Sequence, residues 1–145
     1  DAMNAILSVM DSIPNKIVTV CMGKAFSAAA VILSHGDIRF VAPHGRVMIH
    51  EISGGAVGNI VDVSADAQEM DRLNKVYLEL LAKNCKVKGG TKALRKLFST
   101  RRDVYFDAEQ AVNFGIADYI GVPRLLKMNQ WLLDSSEIDK NPKKK

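Results

Sequence analysis

An α/β layered domain is the fold class this sequence predicts, and three observations predict it. Short runs rich in β-branched residues alternate along the chain with segments of helical periodicity, a pattern that layers helices on sheets. The 145 residues are 48% hydrophobic, enough for one core and too few for two. One amphipathic segment, Val61 to Lys83, is longer than so small a domain needs, so part of it is expected to project and meet a neighbouring subunit.

Ala2, Ile6, Val9, Met10 and Ile13 recur at helical spacing until Pro14 and Asn15 stop the pattern. Ile17 to Cys21 (IVTVC) reads as a buried strand, followed by a turn at Gly23 and an apolar helix over Ser27 to Ser34. Asp37 to Ala42 (DIRFVA) and Arg46 to His50 (RVMIH) are two further strands, separated by Pro43 and Gly45. Gly54, Gly55 and Gly58 make SGGAVGN a flexible or extended segment, which lacks the lysine and spacing of a phosphate loop. The long helix carries Val63, Met70, Leu73, Tyr77 and Leu80 on one stripe and spans about 30 Å at about 1.5 Å per residue. A turn at Gly89 to Thr91 then leads into a short helix over Lys92 to Phe98 and a β-like Val104 to Phe106. Asp107 with Gln110 forms a capping box opening a helix over Ala108 to Phe114, for which Gly115 is the C-cap. Ile116 to Ile120 reads as a strand, and a helix around Leu125 to Leu133 holds the one tryptophan, Trp131. This organisation gives one domain over residues 1–134 and a lysine-rich, solvated tail over 135–145.

Charge and composition exclude several functions. The net charge is +4, and the last ten residues contribute half of it through four lysines set against Glu137 and Asp139. The remaining Lys and Arg are scattered among acids, so no phosphate-tracking face for nucleic acid is expected. The longest apolar run, Ala28 to Leu33, is far short of a membrane span. Cys21 and Cys85 form no CxxC pair and suggest no metal site; they read as reduced thiols of a cytoplasmic protein without a cofactor. The opening residues DAMNAIL are already in helical rhythm, which leads us to expect further residues upstream.

Ser27, in GKAFSAAAVIL, stands where a turn becomes a helix. It is open to two readings, an N-cap or a nucleophile beside the free N–H groups of a helix start. A nucleophilic serine needs a base. His35 (SHGD) and His44 (PHGR) lie in sequences typical of exposed turns, whereas His50 ends an alternating strand, where active-site residues of α/β sheets collect. A packed, hydrogen-bonded histidine is the alternative there. For the orienting carboxylate, Asp103 in STRRDVYF competes with Asp37, Asp107 and Asp118, and could equally be a surface ion pair.

Taken together, CMGKAFSAAA (Cys21 to Ala30), RVMIH (Arg46 to His50), and RRD (Arg101 to Asp103) followed by FDAEQAVNFGIAD (Phe106 to Asp118) resemble the proteolytic subunit (ClpP) family of the Clp protease. The motifs stand in the family's order and at closely similar separations, over about residues 1–122. The resemblance implies a spiral of β-α-β units, shared with the crotonases, and a projecting handle helix. It assigns Ser27 as nucleophile, His50 as general base, Asp103 as orienting carboxylate and the Ala28 N–H as one oxyanion donor, the second being a glycine upstream of Asp1. It implies that Gly54, Gly55, Ala56, Val57 and Gly58 belong to a strand that binds extended substrate, and that Val61 to Lys83 is the handle through which two seven-membered rings stack. It further implies an AAA+ Clp ATPase unfoldase as partner and unfolded polypeptide as substrate. Phage and prophage relatives that process capsid or scaffold proteins belong to the same fold family.

Three departures from the family pattern stand out. Glu51-Ile52 replaces a common Gln-Pro after the histidine, Arg101 stands where an acid often precedes the Arg-Asp pair and forms ring-to-ring ion pairs, and the family's pore-lining N-terminal segment is not in this sequence. Two other readings remain open. The chain could be a non-catalytic ring subunit that co-assembles with active ones, or an acyl-CoA enzyme of crotonase type that uses an oxyanion hole without a triad.

Overall fold

In a computed structural model of the chain, the residues described are 2–55, 57–100 and 102–124. The expected helix around Leu125 to Leu133 with Trp131, the tail, Ala56 and Arg101 lie outside them. Among the described residues, five helices and two small sheets make up the mixed α/β fold. In chain order these are α1 (Ala2–Ser12), β1 (Val18–Cys21), β2 (Lys24–Phe26), α2 (Ala28–His35), β3 (Ile38–Val41) and β4 (Arg46–His50). They continue as α3 (Ile60–Asn84), α4 (Gly90–Thr100), β5 (Asp103–Phe106), α5 (Ala108–Phe114) and β6 (Tyr119–Ile120).

The chain feeds the two sheets in turn. β1, β3 and β6 form one all-parallel sheet, and β2, β4 and β5 form the other, with β2 parallel and β5 antiparallel to β4. The crossings from first to second sheet are at Met22–Gly23 and Pro43–Gly45, stitched together by Ala42 N–H to Cys21 C=O and Arg46 N–H to Gly23 C=O. Val31, Val41, Val47, Ile49, Leu78, Leu81, Leu94 and Ile116 fill the core between sheets and helices. Packing of the helices' apolar faces on these residues supplies the stabilisation that eight- to eleven-residue helices lack alone.

Several expectations are corrected. β2 was not legible, because three residues between Gly23 and Ser27 show only one inward side chain, Ala25. The last strand is confined to Tyr119–Ile120: Ile116 and Ala117 are instead buried beneath the end of α5, their N–H groups turned back to Ala111 C=O. Gly115 ends α5 as expected, in the left-handed conformation (φ 92°). On α3 the buried line is Tyr77, Leu78 and Leu81, while Val63 is exposed, because only the C-terminal part of the helix meets the domain. Ile60 and Val61 stand in solvent, so the first turns do project. Asn59 caps that free end, its Oδ1 accepting from the Val61 and Asp62 N–H groups. The glycine segment forms no strand among its described residues.

Candidate active site

One edge of the second sheet gathers three chain ends. β2 and β4 are parallel, with Phe26 beside Met48, so both finish at this edge. β5 starts there, with Asp103 directly opposite His50. Ser27 takes the first position past β2, and its N–H donates to Met48 C=O at 2.9 Å, adding one rung to the ladder. Val47, Ile49, Val104 and Phe106 face the core, so His50 and Asp103 share the opposite face. Directly opposed residues of an antiparallel pair hold their Cβ atoms about 5 Å apart.

Ser27 does not cap α2: its side chain makes no capping hydrogen bond. Its backbone sits at φ 56°, ψ −120°, the conformation of the first central residue of a type II′ turn, a position dominated by glycine. Such geometry costs a side-chain-bearing residue about 1–3 kcal/mol. Next to it, Ala28 opens α2, so its N–H has no intrahelical partner and stands at the positive end of the helix dipole.

His50 is half-buried, and its Nδ1 lies 2.5 Å from the main-chain oxygen of Glu51. A carbonyl can only accept, so Nδ1 donates in this contact; in the neutral ring the lone pair then lies on Nε2, the tautomer a general base requires. The carboxylate of Asp103 is exposed, and among the described residues no hydrogen bond joins the imidazole to Asp103 or to Ser27. The strand register therefore brings Asp103 alongside His50, while the ring itself is held by Glu51.

A cleft of about 490 Å³ opens on this edge, lined by His50, Glu51, Ile52, Ser53, Phe98, Arg102 and Asp103. Its floor is tied to α3 and α4. Asn74 donates through Nδ2 to Glu51 Oε1 at 3.3 Å and accepts the Ile52 N–H on Oδ1 at 3.1 Å, and Arg95 Nη1 lies 3.9 Å from the same Glu51 oxygen. One turn further along α3, Tyr77 is 3% exposed, and its buried hydroxyl makes no hydrogen bond among the described residues. Burial pushes that phenol up to about 12, so it remains neutral wherever a histidine can act as a base. Beyond Ile52, Gly54 lies flush on Met70 of α3, where a Cβ would meet Sδ at 2.7 Å, and Gly55, Val57 and Gly58 are exposed.

The competing candidates are engaged elsewhere. His44 is in an exposed turn, as expected. His35 is not in a solvated loop: it ends α2, half-buried, with Nε2 2.8 Å from Asp11 Oδ1 and Nδ1 3.3 Å from Asn84 Nδ2. Asp37 accepts from the Ile17 N–H and from Lys16, which hold its carboxyl below the usual range. Asp107 makes the capping box with Gln110. Asp118 grips Arg39, whose guanidinium also donates to the carbonyls of Ser34, Asn84 and Gly115. Sequence reasoning missed Asn74 and Arg95 as neighbours of the site, although Asn74 is a polar residue on the helical line that runs on through Tyr77, Leu78 and Leu81.

A family model described as Clp protease matches residues 1–124. The chain belongs to the Clp protease family. The two-sheet fold is the ClpP-like fold that this family implies, and the family is one of serine peptidases whose members generally form oligomeric rings that work with Clp ATPases. No helix among the described residues is long and apolar enough to cross a membrane. Both cysteines are free and buried; burial pushes the Cys85 thiol up to about 12, which keeps it protonated and unreactive.

Proposed function

We propose that this Clp protease family member is a serine endopeptidase subunit that hydrolyses peptide bonds of unfolded polypeptide, with Ser27 as nucleophile, His50 as general base and Asp103 as the carboxylate that orients and charge-stabilises the imidazole. The observation that carries the reading is Ser27 itself: a hydroxyl released from capping, in a costly backbone geometry, on the sheet edge shared with His50 and Asp103. In the first step Ser27 Oγ bonds to the scissile carbonyl carbon while its proton passes to His50 Nε2. The developing oxyanion accepts from the Ala28 N–H. Collapse breaks the C–N bond, His50 returns the proton to the leaving amine, and an acyl-Ser27 ester remains. Water, deprotonated by His50, then hydrolyses the ester and restores both residues.

The segment Gly54, Gly55, Ala56, Val57 and Gly58, exposed at Gly54, Gly55, Val57 and Gly58, presents backbone to an extended substrate, a recognition that tolerates any sequence. The projecting part of α3, with Ile60 and Val61 exposed, suits contact between subunits. Residues 1–134 act as one protease domain in a cytoplasmic ring of seven subunits, stacked as a double ring and fed by an AAA+ Clp ATPase. The test is hydrolysis of a fluorogenic short peptide by the assembled chain and by Ser27→Ala, with particle mass recorded in the same sample. Turnover that disappears in the variant supports the reading; equal turnover overturns it.

The resting place of His50 on the Glu51 carbonyl favours one alternative, a non-catalytic subunit within mixed rings. Mixed rings that cleave peptide equally well whether this chain carries Ser27 or Ser27→Ala would select it.

A further inference from the structure

We infer that Asn74 is a positioning residue for His50, and that α3 sets the geometry of the catalytic edge through it. The inference rests on the endopeptidase reading of Ser27 and His50 and extends it to a residue which the family resemblance does not assign. On α3 one side chain, Asn74, holds the main chain that follows the histidine. Asn74 spans Glu51 and Ile52, and one turn further along α3 Tyr77 is buried with its hydroxyl making no hydrogen bond among the described residues.

The Asn74 contacts are directional. Its Oδ1 accepts from the Ile52 N–H and its Nδ2 donates to the Glu51 carboxylate, so both ends of the amide are used and its orientation is fixed by the partners. Between those two anchor points lies the Glu51 carbonyl, the group that receives Nδ1–H of His50. Asn74 thereby fixes the oxygen that fixes the tautomer. Arg95 of α4 lies 3.9 Å from the same Glu51 oxygen that Asn74 contacts. Ile52 also leads into the glycine segment, so the same side chain sets where that segment leaves the sheet.

Loss of this support should act on reaction geometry. For Asn74→Ala the labelling rate of Ser27 by a small serine-reactive phosphonate should fall about tenfold to a hundredfold, the cost of a misplacement of roughly 1 Å at a reacting group. Asn74→Asp alone, which faces Glu51 with a second carboxylate, should be no better. The double variant Asn74→Asp, Glu51→Gln keeps the Ile52 bond and reverses the donor and acceptor of the other, and should return to within about threefold of the original rate. A merely structural role would lower the thermal midpoint without this reciprocal rescue.

Wild-type labelling that Ser27→Ala abolishes, together with an undiminished rate in Asn74→Ala, overturns the inference and leaves the endopeptidase reading standing. If the unmodified chain does not label at all, that reading has failed, and the clamp is judged by the ¹⁵N signals of the His50 ring, identified against His35→Gln and His44→Gln. A change in the Nδ1 and Nε2 signals in folded Asn74→Ala supports it, and unchanged signals overturn it. Should Asn74→Ala fail to fold, Asn74→Ser is read by the same two measurements.

Discussion

Two polar clusters of this molecule, one on each sheet, are built on opposite principles. Around Arg39 on the first sheet every strong donor is used: the guanidinium bonds both oxygens of Asp118 and the carbonyls that end α2, α3 and α5. Around His50 on the second sheet, groups of equal strength are left open: the Ser27 hydroxyl caps nothing, the Ala28 N–H has no helical partner, and Asp103 faces solvent. The first arrangement locks three helix ends to β3, and it explains why Asp118, a match for the carboxylate role by residue type, is unavailable for it. The second leaves its groups free, as the proposed peptidase reading requires. Clefts of about 500 and 590 Å³ lie beside Arg39, against about 490 Å³ beside His50, so size does not distinguish them. Saturation of the polar groups does.

The largest effects expected from this contrast are kinetic. His50→Ala and Asp103→Asn should each lower kcat for a short peptide by about 10³- to 10⁴-fold, roughly 4–5 kcal/mol of barrier, while the thermal midpoint moves by only a few degrees. Steady-state kinetics beside calorimetry checks both. Asp103→Asn with nearly full kcat would show that the Glu51 carbonyl alone orients the imidazole, and the contrast would then lose one of its catalytic members.

Arg39→Met should behave in the reverse sense, costing about 3 kcal/mol in urea unfolding while kcat per folded molecule stays close to the original, since it removes the guanidinium from three carbonyls and leaves Asp118 only the main-chain N–H of residue 39. Acid sharpens the same point. The Arg39 guanidinium holds the Asp118 carboxyl below the usual carboxylate range. A group depressed in the folded state adds stability above its unfolded value, near pH 4, and loses it as the pH falls through the lower folded value. Arg39→Met should therefore flatten the dependence of stability on pH on the acid side, and an unchanged acid limb in chemical-denaturation curves would refute the assignment.

Local signals made most of the fold readable in advance. Arg46–His50 was delimited by alternation between Gly45 and the residues that follow, and α5 by its capping box and Gly115. What escaped depends on contacts remote in sequence. β2 is a strand only because β4 lies beside it, and Ile116–Ala117 leave the last strand because the end of α5 draws their N–H groups back. The roles of Asn74 and Arg39 are fixed by partners 22 and 79 positions away. Ser27, His50 and Asp103 could be named from their motifs, but the φ of Ser27 and the rest position of His50 are properties of the packed edge.

The smallest predicted effect probes that edge most directly. Ser27→Ala and Ser27→Gly both remove the proposed nucleophile, so on that reading neither should hydrolyse peptide, yet they differ in backbone freedom. Alanine must adopt φ 56° with a Cβ, as serine does, whereas glycine takes this conformation without steric penalty. Relief of the strain outweighs the greater flexibility of glycine in the unfolded chain, so Ser27→Gly should be more stable than Ser27→Ala by about 1 kcal/mol, read from paired urea curves. Equal stabilities would mean that the corner relaxes when the hydroxyl is lost, and that the hydroxyl itself sustains the geometry. A glycine variant more stable than the serine chain would mean that the surrounding β2 and β4 ladder holds Ser27 against its preference, trading stability for a presented nucleophile.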